Sequence, residues 1–188
     1  MFKIEYKIIS NDYDDFIGQN GFFRMLCNGF AYGEIYHEEL ESVMDKVSIV
    51  DWFERLIKVI EHLNKSNYVA LSDTESYNTW IEFKKRDENL VISIIQAKKE
   101  DGSHDIEYQL NNTEDGEWVN QIVSYKQLYE EILSKAKEYL EYIISQNHNE
   151  ELFENLKSKL QYYNTVMGKP SSSVFNSRVL CSDKTKEQ

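Results

Sequence analysis

SIVDWFERLIKVIEHLNKSNYVALSDTESYNTWIEFKKRDENLVISIIQAK, residues 48–98, changes from a helical to a two-residue hydrophobic period within a few positions, and that change decides the fold class. Ser48 with Asp51 places a side-chain acceptor and an acid three residues apart, close to a capping box. Behind that cap, Ile49, Phe53, Leu56, Ile60 and Leu63 recur at the spacing of one buried stripe, which Trp52, Val50, Ile57 and Val59 widen. The pattern predicts a helix from Ser48 to about Asn64. After it, Tyr68–Ser72, Tyr77–Lys85 and Leu90–Lys98 are β-branched or aromatic runs with polar punctuation, which predicts three strands. The last of these has Val91, Ile92, Ile94 and Ile95 on both faces, the mark of a central strand covered twice.

Reading toward the N-terminus, Phe2, Ile4, Tyr6 and Ile8 alternate with Lys3, Glu5 and Lys7, as in a half-buried antiparallel strand. Gly21–Cys27 and Phe30–Tyr36 flank Asn28-Gly29, the pair that suits a type I′ hairpin turn. His37–Lys46 is acidic and is expected to hold a helical turn. Toward the C-terminus, a strand is expected over Ile106–Leu110 and another over Trp118–Val123, with turns at Asp101-Gly102 and Asp115-Gly116. Ser124 and Gln127 then form a second capping signature. It opens a helix through Leu128, Ile132, Leu133, Ala136, Leu140 and Ile143, and a last helix runs from Leu152 to Met167, closed by Gly168 and Pro170. The expected architecture is α+β: a mostly antiparallel sheet of six to eight strands, one long inserted helix and a C-terminal helical pair. Residues 1–170 are read as a single domain with the helical pair (124–168) packed on the sheet, a separate helical unit being the alternative, and 171–188 as a flexible tail.

Composition narrows the class. The chain has 188 residues, 41% of them apolar and 13% aromatic, enough for one full core and unlike a disordered acidic tail. A single proline, with 17 Ile, 17 Lys and 15 Asn against 4 Ala and 4 Arg, is the usage of A+T-rich coding DNA, such as that of a low-GC bacterium or its phages. The apolar runs are too short to cross a membrane, and Met1–Lys7 lacks the apolar core of a secretory signal, so a cytoplasmic protein is expected. Cys27 and Cys181 make no Cys-x-x-Cys and are read as reduced. The 21 Lys plus Arg face 33 Asp plus Glu, a net charge of −12, which opposes general nucleic-acid affinity. That charge is uneven. Residues 1–66 hold 7 basic and 12 acidic groups, residues 67–123 hold 5 and 12, and residues 124–188 hold 9 and 9. The acidic excess therefore belongs to the β-rich part.

No G-x-G-x-x-G or Walker run is present, and His37, His62, His104 and His148 have no metal-ligand spacing. Asn11–Asp15 brings three carboxylates together without the rest of a Ca²⁺ loop, and reads as a solvated acidic loop. Catalytic residues, metal ligands and cofactors are accordingly expected to be none. One enzyme-like pattern competes with that expectation. Asp73 ends a strand, and Glu82-Phe83-Lys84 puts an acid and a lysine on one side of the next. These three resemble the core of the PD-(D/E)-x-K nucleases, in which the acids hold Mg²⁺ and the lysine steadies the attacking water. A surface Glu–Lys alternation is the competing reading. The same stretch also combines Tyr77 and Trp80 with Asp73, Glu75 and Glu82, aromatic anchors beside negative charge, the composition of a surface for a basic protein. In the alternative reading Trp80 packs beneath a helix covering that face.

In size, charge and lack of catalytic motifs, the whole chain resembles the immunity proteins of bacterial polymorphic-toxin systems. The resemblance implies a non-catalytic inhibitor that binds a basic toxin or nuclease domain and occludes it, with no nucleic acid or membrane as partner. The alternatives are the Mg²⁺-dependent nuclease or hydrolase using Asp73, Glu82 and Lys84, and a phage-encoded inhibitor or nucleic-acid-mimicking decoy.

Overall fold

The computed structural model describes residues 1–9, 18–74, 76–100, 102–146 and 150–167. The acidic loop Asn11–Asp15, Glu75, Gly168, Pro170, Cys181 and the expected tail 171–188 lie outside the described residues.

The fold is α+β, with every strand pairing antiparallel. The strands divide between two sheets where the hydrophobic pattern predicts one. In the first, β1 (Phe2–Ile8), β2 (Asn20–Cys27) and β3 (Phe30–Gly33) follow in order, and the short β4 (Val47–Ser48) pairs with the start of β2. Asn28 and Gly29 both have positive φ, 51° and 93°, as the β2–β3 hairpin turn requires. Helix α1 (Ile49–Leu63) follows β4, and the Ser48 hydroxyl accepts from the Asp51 N–H at 3.3 Å, so the expected cap forms.

The second sheet contains β5 (Tyr68–Ser72), β6 (Thr79–Arg86), β7 (Asn89–Gln96), β8 (Ile106–Glu107), β9 (Glu114–Asp115) and β10 (Gln121–Ser124) in the order β10-β7-β6-β5-β8, with β9 also on β7. The strands expected over Ile106–Leu110 and Trp118–Val123 are shorter, and β9 occupies part of the expected Asp115-Gly116 turn. Helix α2 (Tyr125–Ser145) opens on Ser124, whose hydroxyl accepts from the Gln127 N–H at 3.4 Å, and α3 (Glu154–Met167) follows a 3₁₀ turn.

Nine of the fifteen residues of α1 are buried, because the helix packs against β2, β5, α2 and α3 at once. Each such side chain contributes roughly 1.5–3 kcal/mol, so α1 is the axis on which both sheets are hung. Its Phe53 meets Tyr6, Phe23 and Tyr139 edge-on or tilted, with centroids 5.3–5.5 Å apart. The exposed edge of the first sheet is closed by α2: the Glu131 carboxylate accepts from the Ile4 N–H of β1 at 2.9 Å. The two sheets are tied where Trp118 donates its indole N–H to the Ala31 carbonyl at 3.2 Å and Asn28 donates to the Ile122 carbonyl at 3.1 Å.

Strand β7 is buried on both faces, as its sequence predicts. Leu90, Ile92 and Ile94 join the main core, while Ile95 joins Ala70, Trp80 and Ala97 in a smaller cluster on the opposite face of the second sheet.

Candidate functional site

Strand β3 stops at Gly33, whose φ is +83° and where a Cβ would stand 2.2 Å from the Phe23 carbonyl oxygen. Only glycine allows the chain to leave the sheet at that point. Residues 34–46 then arc away, form the expected helical turn at Glu38–Leu40, and return as β4. Tyr36 anchors the arc by meeting Phe22 edge-on at 5.1 Å, and Glu41 pairs with Lys7. Over Glu34–Asp45 the arc carries five carboxylates and no lysine or arginine. Glu34, Glu38, Glu39 and Asp45 are exposed, and so are Leu40 (44%) and Val43 (71%).

Beneath the arc, where the first sheet, α1 and the end of β5 meet, lies a pocket of about 270 Å³. Its walls are aromatic: Phe22 and Phe23 from β2, Tyr32 from β3, Tyr36 from the arc and Trp52 from α1. Phe23 and Trp52 stack with centroids 5.4 Å apart and planes within 4°. Three carboxylates, Glu34, Asp45 and Asp73, complete the lining, which contains no lysine, arginine or histidine. They stand around the walls rather than converging. Among the described residues, no three His, Cys, Asp or Glu side chains form a group able to hold a metal ion.

Among the described residues of the expected site, Asp73 is the one that lines this pocket. It is 6% exposed, and its carboxylate accepts a hydrogen bond from the Tyr32 phenol at 2.6 Å. Its backbone N–H donates to the Thr79 carbonyl at 3.0 Å and its carbonyl accepts from Lys99 at 3.0 Å, which fixes the strand end. Arg55 of α1 braces the same end from the other side. It donates to the Ser72 carbonyl at 3.3 Å while pairing with Asp51 at 2.8 Å and Asp105 at 3.3 Å.

The other expected residues are placed elsewhere. Ser72 pairs with Trp80 and Ala70 with Glu82, so Trp80 and Glu82 share the far face of the second sheet, whereas Asp73 continues the Leu71 face. Trp80 is fully buried and donates its indole N–H to the Ala97 carbonyl at 2.9 Å. It is therefore a core side chain and not an interface anchor. The cover over it is Leu110 and the Lys99 ammonium, 5.6 Å from the ring centroid, rather than a helix. Glu82 is 6% exposed, pairs with Lys84 at 2.7 Å and accepts a hydrogen bond from Tyr68, whose phenol pKa is raised by burial and then by that carboxylate. Tyr77 is 73% exposed at the β5–β6 turn, and Glu75 lies outside the described residues. The nuclease-like set is likewise divided. Glu82 and Lys84 share a face as their spacing predicts, but Asp73 turns to the opposite face and lies about three strand residues, roughly 10 Å, along the ladder.

The pocket's remaining lining residues span positions 22–52, and the sequence reading did not assemble them. The signal available was the stretch Glu34–Asp45, twelve residues with five acids ahead of the arc's single lysine, Lys46, beside aromatic strands. The chain matches no protein family, curated protein or solved structure with which it was compared.

Proposed function

We propose that this chain is a non-catalytic acidic binding protein, an immunity or inhibitor protein that occludes a basic toxin or nuclease domain. The observation that carries the reading is the acidic stretch 34–45, which exposes Leu40 and Val43 between carboxylates and whose Glu34, Tyr36 and Asp45 line an aromatic, carboxylate-bearing pocket. Exposed apolar side chains inside a ring of one charge are what a protein interface uses: the apolar groups supply contact energy and the charges steer the encounter. The site expected from sequence is thereby relocated. Asp73 remains in it, and the arc replaces Trp80 and Glu82.

The test is association of the purified chain with the product of an adjacent gene, followed by stopped-flow or surface kinetics. Glu38→Gln with Glu39→Gln removes two exposed arc charges outside the pocket. The association rate is expected to fall severalfold with the dissociation rate nearly unchanged. The difference should vanish as salt shortens the Debye length from about 10 Å at 0.1 M to about 3 Å at 1 M. Absence of any basic partner, or an association rate indifferent to both substitutions, overturns the proposal.

A further inference from the structure

We infer that the pocket beneath the arc is the receptor for a single arginine side chain of the partner, taken by its guanidinium. This deepens the proposed function and rests on it for the protein that carries the arginine. Size is the first argument. At about 270 Å³ the pocket falls just below the roughly 300–1,000 Å³ of sites for drug-sized ligands, and so is scaled to one side chain or a small organic cation. Lining chemistry is the second. Five aromatic residues and three carboxylates, with no cationic side chain in the lining, make a site that favours positive charge.

The choice of guanidinium over ammonium or metal ion follows from geometry. The carboxylates are dispersed around the walls and do not form a ligand set, which disfavours a small hard cation that needs several oxygens at once. A guanidinium is planar, lies flat on aromatic faces, presents donors in several directions in its plane and is less strongly hydrated than an ammonium. It is therefore the cation that can satisfy separated carboxylates while lying against the aromatic wall that Tyr32, Tyr36 and Trp52 line. The deepest of those carboxylates is already positioned, because the Tyr32 phenol holds Asp73 at 2.6 Å and the braced end of β5 fixes its backbone. The two basic residues that brace the end of β5 do not fill the role. Arg55 is engaged with Asp51, Asp105 and the Ser72 carbonyl, and Lys99 with the carbonyls of Asp73 and Ser76, and neither lines the pocket.

The experiment is a titration of the ¹⁵N-labelled full chain with N-acetylarginine amide, followed at the Trp52 indole N–H. N-acetylcitrulline amide, which keeps the shape and loses the charge, and N-acetyllysine amide are the controls. A saturable shift at Trp52 with a millimolar Kd is expected for the arginine probe, with the citrulline probe at least about tenfold weaker and the lysine probe weaker than arginine. Glu34→Gln with Asp45→Asn, both at exposed positions, is expected to preserve the spectrum elsewhere and weaken the arginine probe by roughly threefold or more. No saturable shift at Trp52 up to ~50 mM, equal binding of the citrulline or lysine probe, or a double variant that binds as well as the parent overturns the inference. A basic partner that associates while the arginine probe leaves Trp52 unmoved removes the inference and spares the proposed function. Arginine binding without any basic partner removes the proposed function and spares the pocket.

Discussion

Tyr32 and Asp73 join the two sheets at the pocket floor, and their coupling is measurable. The phenol donates to the carboxylate at 2.6 Å, and Asp73 is 6% exposed, so water cannot freely replace the donor. Tyr32→Phe removes the hydroxyl but keeps the ring, including its edge contact with Trp118 at 6.1 Å. A hydrogen bond to a charged group contributes about 1.5–3 kcal/mol, and a neutral one about 0.5–1.5 kcal/mol. Tyr32→Phe is therefore expected to cost about 2 kcal/mol in the parent and about 1 kcal/mol in an Asp73→Asn background, where the acceptor is a neutral amide. The double-mutant cycle should give a coupling of about 1 kcal/mol, well above the few tenths seen for independent sites. Urea unfolding of the four proteins, with unchanged m-values, supplies the numbers. A coupling below about 0.4 kcal/mol would refute the claim that this bond locks the carboxylate in place.

Three further outcomes follow from packing and charge. Leu56→Ala and Ile60→Ala, both at fully buried positions of α1, should each cost roughly 2–5 kcal/mol in urea unfolding, and a cost below about 0.5 kcal/mol at both would contradict the central placement of that helix. Tyr129 buries a hydroxyl that finds no hydrogen-bond partner among the described residues, so Tyr129→Phe should raise stability by about 1 kcal/mol, and destabilisation would reveal a partner for it. Burial raises the phenol pKa values of Tyr6, Tyr68, Tyr139 and Tyr163, and pushes that of Tyr125 up to about 12. The folded chain thus retains protons that the unfolded chain releases: this stability is complete below pH ~10 and lost as pH rises from there toward the folded values, and a denaturation midpoint that stays flat between about pH 9 and 11 would contradict it.

How much of this was legible depended on whether the cause is local. Helix α1 was readable within a residue at either end, because its cap at Ser48 and its apolar stripe are both encoded over a few positions. The Asn28-Gly29 turn and the doubly buried β7 were readable for the same reason. The division into two sheets was not, since a period of two tells which side chains share a face but not which strand lies alongside. Trp80 shows the limit most directly. Its alternation with Ile81 placed it on the correct face, but only the long-range placement of Ala97, Lys99 and Leu110 decides that this face is covered. Glu82 and Lys84 were rightly read as neighbours, while Asp73, outside the regular ladder, turned toward the pocket. The pocket itself draws on β2, β3, the arc, α1 and the end of β5, so it exists only once long-range packing has formed.

The charge distribution acquires a direction from the fold. Residues 124–188, which include α2 and α3, are electrically balanced, while the β-rich residues 1–123 hold the whole excess of −12. Helix α2 packs on β1, the edge of the first sheet away from β3, and the arc leaves from the end of β3. A field of this kind acts on an approaching basic protein before any contact forms, and it favours encounters that arrive from the strand side. Steering alone, however, gives rate and not residence, because exposed charges remain well solvated. Residence requires desolvated contact, and near the arc that is what Leu40, Val43 and the aromatic pocket offer. The two properties are therefore separable by substitution. If the chain binds a basic protein as proposed, changes at Glu38 and Glu39 are expected to act on the association rate and changes inside the pocket on the dissociation rate.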